Sequence, residues 1–354
     1  MAAKRMTAMM TAMCMMLWIM SCPFFPLTGA SAEAGEKAKL TLMIYMVGSN
    51  LESDCRAASN TIDRIVEAAA NGSEINLVMM TGGSKSSVRW DTEKTQIWEI
   101  RSHKYRAIWN DALMNMGDPE TLSFFLNYCA ENRPAEQYAL ILWGHGSGPM
   151  GFGYDELFEM DPVTMEEFAQ AMENSPFSNG NKLEWLAFDA SFMGNLEVLQ
   201  AVAPYTDIMI ADEFEVPANG LNYEFLNEPD ILLNGEEICR CIIDGYLNTY
   251  SQTDQRISAT AIRTENAEQI LRLYHALLSA LKEDKPEDCE KVLEKSRISI
   301  LSGQSAFYDL GTLAESCMEY FPQESEDLIR AIEESTVYHR NNLNSSEGIS
   351  TIID

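Results

Sequence analysis

Cations are scarce in this chain: 25 Lys and Arg stand against 54 Asp and Glu in 354 residues, a formal charge of −29 with a pI near 4.4. Nucleic acid is excluded as a main partner, because a phosphate-binding surface needs clustered cations. Cysteine is also thin. Cys14 and Cys22 fall in the N-terminal stretch, and Cys55, Cys129, Cys239, Cys241, Cys289 and Cys317 are scattered through the rest, too sparsely for a disulfide scaffold. No pair has zinc-ligand spacing supported by a nearby histidine, and Cys239 and Cys241, two apart in a helical pattern, point to different faces. No apolar run reaches the roughly 20 residues of a spanning helix, so no stable membrane span is expected. Repeats and long linkers are absent. With 46% hydrophobic and 22% charged residues the chain is no disordered acidic tail, and its length fits one large domain, or one with an appendage.

The N-terminus reads as a secretory leader. Lys4 and Arg5 precede an apolar, Met-rich run from Met6 to Met20, Pro23 and Pro26 follow it, and Ala30-Ser31-Ala32 offers a small-x-small cleavage site before Glu33. Removing residues 1–32 takes away two cations and no acids, which carries the charge from −29 to −31. The expected product is secreted or cell-surface; the rival cut at Ile19-Met20-Ser21-Cys22 would leave a lipid-bearing Cys22.

From residue 40 the pattern alternates between apolar runs and amphipathic stretches, the signature of an α/β sheet with helices on its faces. Residues 40–47 and 75–80 read as strands buried on both sides, with a helix over 59–70 between them. A small hairpin outside the main sheet is expected within 88–100. Asp118-Pro119 supplies an N-cap and first-turn proline for a helix running to about Asn132. The strand 138–143 runs into Gly144-His145-Gly146-Ser147-Gly148, and the strand 183–188 runs into Asp189-Ala190-Ser191-Phe192-Met193-Gly194. The helix between them opens on a capping box, Thr164-x-x-Glu167. Such a βαβ unit places two parallel C-terminal ends side by side, so His145 and Ser191 are expected to meet where ligands of open α/β sheets bind. Further strands are expected at 206–210, 258–262 and the C-terminus, with helices at 235–250, 266–282, 307–320 and 324–339.

His145, one of four histidines, is flanked by glycines at a strand end, which suits either an accessible imidazole or a turn histidine satisfied by a carbonyl. Ser191 reads equally as a helix N-cap or as a nucleophile with His145 as base and the Gly146 and Ser191 amides as oxyanion donors. Asp189, two residues earlier, projects on the same strand face and either orients a cationic substrate group or caps a turn. Gly146 to Gly151 satisfies G-x-G-x-x-G, but Pro149 and the glycines beyond it do not open the helix that a dinucleotide site needs. The hydrolase elbow G-x-S-x-G is absent, since Ser147 comes one place late. Acidic runs at 283–294 and 324–334 read as solvated helix faces. No cofactor and no metal centre are implied; calcium on carboxylates such as Asp155, Glu156 and Asp161 has no loop signature behind it.

Leu142-Trp143-Gly144-His145-Gly146-Ser147-Gly148 followed by Phe188-Asp189-Ala190-Ser191-Phe192-Met193-Gly194 resembles the clostripain family of cysteine peptidases. The likeness takes in the stretch from Ile44 to Glu52 and the Met116-Gly117-Asp118-Pro119 helix entry, so it spans roughly residues 40–225. It implies a caspase-like, mostly parallel sheet flanked by helices, with a core over 40–225 and a more helical part over 226–354. It also implies secreted endopeptidases that often cut after Arg or Lys and often process themselves. His145 matches the family's catalytic histidine and Asp189 its specificity-pocket acid. A second pocket acid falls on Asn219 of Pro217-Ala218-Asn219-Gly220, which weakens the case for a basic preference. The family pattern reads Asp-Ala-Cys where this chain reads Asp189-Ala190-Ser191. An imidazole readily ionises a thiol but not an alkanol, which needs a base held by a third, acidic group. The expectation is a peptide-binding homologue with impaired hydrolysis, set against an endopeptidase that uses Ser191 with His145.

Overall fold

Strand β1 (Ala38–Val47) shows why the apolar runs carry no polar alternation. Leu42, Ile44 and Met46 enter one hydrophobic cluster while Met43, Tyr45 and Val47 enter another, so alternate side chains fill opposite layers. The computed structural model describes residues 37–69, 74–300, 306–343 and 348–353. The expected leader over residues 1–32 lies outside them.

After β1 come α1 (Ser49–Cys55), α2 (Ala57–Ala68), β2 (Ile75–Gly82), β3 (Gln96–Arg101) and β4 (Lys104–Trp109). Helix α3 (Pro119–Asn132) leads into β5 (Ala135–Trp143). A small antiparallel sheet follows, made of β6 (His145–Gly146), β7 (Phe152–Asp155) and β8 (Asp161–Val163). Then come α4 (Met165–Glu173), β9 (Leu183–Asp189), α5 (Leu196–Val202) and β10 (Thr206–Asp212). The C-terminal part holds α6 (Pro229–Leu232), α7 (Gly235–Tyr250), β11 (Ser258–Arg263), α8 (Ala267–Asp284), α9 (Pro286–Ser296), β12 (Arg297–Ile300) and β13 (Ala306–Asp309). It closes with α10 (Leu310–Cys317), α11 (Pro322–Ser335), β14 (Thr336–Asn341) and β15 (Ser350–Ile353).

The main sheet runs β14-β11-β10-β9-β5-β1-β2-β3-β4. Its five central strands are parallel and both flanks are antiparallel. Phe125 of α3, Phe168 of α4, Leu199 of α5 and Ile270 of α8 cover one face. Ile62 and Ile65 of α2 and Ile242 and Tyr246 of α7 cover the other. The α/β architecture, with a mostly parallel sheet between helical layers, is as the sequence predicts.

Local signals hold where the chemistry is specific. The Asp118 side chain accepts from Glu120 N at 2.8 Å, and the Thr164–Glu167 capping box closes in both directions. Three expectations are corrected. The hairpin is not outside the sheet: β3 and β4 form its edge, joined through Ser102 and His103, whose φ values of +54° and +59° are those of a tight primed turn. No Asn-Gly signals that turn. The stretch 307–320 begins as a strand, because Asp309 accepts from Thr312 N at 2.7 Å and starts α10 only there. The expected helix over 324–339 ends at Ser335, and Thr336–Asn341 pairs with β11. The C-terminal part therefore completes the main sheet and is not merely helical.

The small sheet is pinned by a buried carboxylate. Asp155 is fully buried; its Oδ2 accepts from Met116 N at 2.7 Å and its Oδ1 from Leu157 N at 2.8 Å. Burial raises its pKa, and these amides pull it back. Tyr45 donates its hydroxyl to the Met116 carbonyl at 2.8 Å, so the segment that carries the cap of α3 is fastened to β1 and β7 together. Asp155→Ala leaves the buried Met116 amide and the half-buried Leu157 amide unpaired and is expected to cost about 3 kcal/mol in urea unfolding, with Asp155→Asn losing roughly a third of that. Equal stability of all three proteins would show that the carboxylate carries no part of the fold.

Candidate active site

The parallel pairing of β5 with β9 sets the site. Trp143 lies opposite Asp189, and Gly144 N donates to Asp189 O at 3.2 Å, so the two strands end together. The chains that leave them stay in contact. A Cβ on Gly146 would stand 2.7 Å from Ser191 N and overlap the Ser191 carbonyl, so only glycine fits there. Gly146 and Ser191, expected to share a site, thus touch through their backbones, and His145 is the residue before that contact.

Ser191 is not a helix cap. Asn195 takes that place for α5, accepting from Val198 N at 2.9 Å. The Ser191 hydroxyl oxygen instead accepts from Val216 N at 3.0 Å, a bond delivered by the segment that follows β10. Phe192, directly after it, has φ +63°, a costly value for a bulky side chain. It is held by its own amide donating to Phe214 O at 2.8 Å and by a ring stacked on Phe307 at 5.4 Å.

Asp189 faces inward, 3% exposed. Its carboxylate accepts from Leu221 N at 3.0 Å and from the Tyr223 hydroxyl at 2.8 Å. Burial pushes its pKa up to about 6, against the pull of these donors and of Arg64. Gly220, at φ +62°, packs so closely that a Cβ would stand 2.6 Å from Asp189 Oδ2. Arg64 hooks the same loop, donating to Leu221 O at 2.9 Å and to Asn219 O. Asn219 is exposed and enters this arrangement through its carbonyl. Asp212, at the end of β10, is likewise buried, accepts from Phe214 N at 2.8 Å, and has its pKa pushed up to about 6 by burial.

His145 is partly buried, which lowers its pKa. Its Nε2 lies 2.7 Å from Asn50 Oδ1. With the amide oxygen as acceptor, Nε2 carries the proton and Nδ1 is the basic nitrogen. The Tyr154 ring meets the imidazole edge-on at 6.3 Å. Asn50 is fixed by its helix: buried Glu52 accepts from Ser59 N at 2.8 Å, from the Ser59 hydroxyl, and from the Ser87 hydroxyl at 2.7 Å, tying α1 to α2 and the loop before β3.

Asn50, Arg64, Val216 and Tyr223 were not legible as site residues. Asn50 had one usable signal, its place just past the end of β1, the parallel neighbour of β5. The carboxylates considered for calcium are turned to other partners: Asp155 to amides, Glu156 to Lys85, and Asp161 to Asn115 Nδ2 at 2.6 Å. Among the described residues no group of three or more His, Cys, Asp or Glu is gathered as a metal ion would require. Nor, among them, is any helix long and apolar enough to cross a membrane.

Comparison with known proteins agrees with this architecture. A secreted C11 cysteine protease from Bacteroides thetaiotaomicron, solved with an irreversible peptide inhibitor, superposes with a TM-score of 0.72 at 16% identity over 90% of this chain and 93% of its own. An inactive zymogen C11 protease from Parabacteroides distasonis gives 0.70 at 18% identity, with the same coverage. Clostripain from Hathewaya histolytica is 23% identical over 256 residues, 59% of this chain and 47% of its own length, so the chain spans about half of that relative. The model of the clostripain family, the C11 peptidases, matches residues 44–351, and the chain belongs to that family.

Proposed function

We propose that this chain is a secreted clostripain-family protein that binds peptide at the C-terminal ends of β5 and β9 and in which hydrolysis is impaired. One observation carries the reading: the group behind the His145 imidazole is the amide of Asn50. An amide orients the ring but does not stabilise an imidazolium as a carboxylate does, and a hydroxyl nucleophile depends on that stabilisation far more than a thiolate. The bond from Val216 N to Ser191 Oγ supports the same reading, because it occupies the oxygen that would attack. The leader-like stretch before Glu33 supports secretion.

A second reading, an endopeptidase using Ser191 with His145 as base, is favoured by the strained backbone at Phe192 and by an imidazole kept neutral through burial. The substrate side chain expected at Asp189 is affected under either reading. With its oxygens engaged by Leu221 and Tyr223 and Gly220 packed against them, the carboxylate does not present itself to an incoming Lys or Arg.

The purified protein is expected to leave a mixed peptide library intact at neutral pH, and Ser191→Cys to gain cleavage of at least about a hundredfold over that background, blocked by thiol alkylation. Cleavage by the unaltered protein, abolished in Ser191→Ala, would establish the second reading. Asn50→Asp places a negative charge on Nε2 and is expected to raise the His145 pKa in NMR titration; an unmoved pKa would break the link between the two side chains.

Asp189 makes a pH prediction. Its folded pKa lies above the value near 4 of an unfolded chain, so the fold binds the extra proton and loses stability as pH rises from about 4 to about 6. The loss amounts to about 3 kcal/mol for this group. Asp189→Asn is expected to flatten the urea-midpoint profile over that window, with the remaining slope due to Asp155, Glu197 and Asp212, whose pKa values burial also raises. An unchanged slope would count against a buried, protonatable Asp189.

A further inference from the structure

Backbone strain and exposed apolar side chains coincide on one side of His145. Nine non-glycine residues among those described have positive φ, and five of them lie beside the site residues or on the β7–β8 hairpin: Ser49, Tyr154, Glu159, Met160 and Phe192. Three of these lie on the hairpin from β7 to β8, where left-handed values at an aromatic and a long side chain cost about 1–3 kcal/mol each. Strain of that size is retained where the surrounding structure needs a side chain in one place. The same hairpin holds Phe158 and Met160, 37% and 38% exposed, two of the five large apolar side chains that stand out among the described residues. Met160 Sδ lies 3.9 Å from Ser49 Oγ, next to the Asn50 that holds the imidazole, and the Tyr154 hydroxyl donates to Ser147 Oγ at 2.7 Å while its ring edges the imidazole.

The chemistry of the site says what would lie there. Asp189 precedes Ser191 by two residues, and its carboxylate is taken up by Leu221 N with Gly220 packed against it, so it leaves the choice of side to the histidine. The base of such a pair must reach the nitrogen of the leaving residue, so a peptide bond placed at Ser191 sends its C-terminal continuation past His145. The residues beside His145 are Tyr154, which edges the imidazole, and Met160, which meets Ser49 next to Asn50, with Phe158 two places before Met160 on the same hairpin. The geometry points to an apolar subsite on the β7–β8 hairpin, formed by Tyr154, Phe158 and Met160, that takes large apolar side chains one or two residues after the bond held at Ser191. The inference rests on the peptide-binding reading above and adds the class of side chain that this reading leaves open. Asp155, Glu156 and Asp161 of the hairpin already have donors, so binding at Tyr154, Phe158 and Met160 draws on desolvated apolar surface.

The test uses fluorescent octapeptides with four randomised residues on the N-terminal side, followed by Leu-Phe or by Asp-Gly and two serines. Fluorescence anisotropy with the unaltered protein is expected to show at least tenfold tighter binding of the Leu-Phe pool. Met160→Asp, whose side chain is exposed so that the fold should survive, is expected to reduce the ratio to less than about two, with an unchanged melting temperature as the control. Phe158→Ser is expected to lower it in part. Equal binding of both pools, or a tenfold preference that persists in both variants, overturns the subsite while leaving peptide binding intact. Binding of neither pool, by the unaltered protein or by Ser191→Cys, overturns the peptide-binding reading itself and the subsite with it.

Discussion

The parallel register between β5 and β9 is the constraint on which the rest depends. With Trp143 opposite Asp189, the two chains leave the sheet at the same height, and the loops bearing His145 and Ser191 have to share one small volume. Neither could be shifted by one residue without sending every side chain of its strand into the opposite core, since alternate side chains of β5 and β9 fill different layers. The bulk hydrophobic packing of the sheet thus fixes, to within a residue, which side chains arrive at its carboxyl edge. Glycine at 146 is the local consequence, because the two backbones approach too closely for any side chain.

Around that edge the protein manages an excess of acids by turning the essential ones inward. Glu52, Asp155, Asp189 and Asp212 are all buried, and each accepts from backbone amides that would otherwise be unpaired. They act as knots: Glu52 holds the helix that carries Asn50, Asp155 the small sheet that carries His145, Asp189 the loop through Gly220, and Asp212 the turn into Phe214. The cost of burying these charges appears as raised pKa values at Asp155, Asp189 and Asp212. Sequence acidity therefore says little about the site's electrostatics, because these four carboxylates are committed to the fold, while exposed Asp54 accepts from Asn50 Nδ2 at 3.3 Å.

Much of the fold was legible because its signals are local. The Asp118-Pro119 helix start, the Thr164–Glu167 box and the doubly buried runs of β1 and β2 each follow from interactions within a few residues. The misreadings were long-range. Ser102-His103 adopts a primed turn without the usual glycine because pairing of β3 and β4 imposes it. Thr336–Asn341 is β-structure because β11 offers an edge beside it. Ser191 looked like a helix cap until Asn195, four residues on, took that bond. Its true partner, Val216, is 25 residues away.

The sequence by itself determined the strand–helix alternation and the two neighbouring strand ends with their glycines, because period-two burial and capping chemistry are written in adjacent residues. Only the tertiary structure decided that an amide from β1's exit stands behind the imidazole, that Val216 occupies the hydroxyl, and that Asp189 faces the protein interior. Those outcomes depend on which segments 25 to 95 positions apart fold against one another. Their donors and acceptors are common residue types, and nothing in the neighbouring sequence marks which of them will meet.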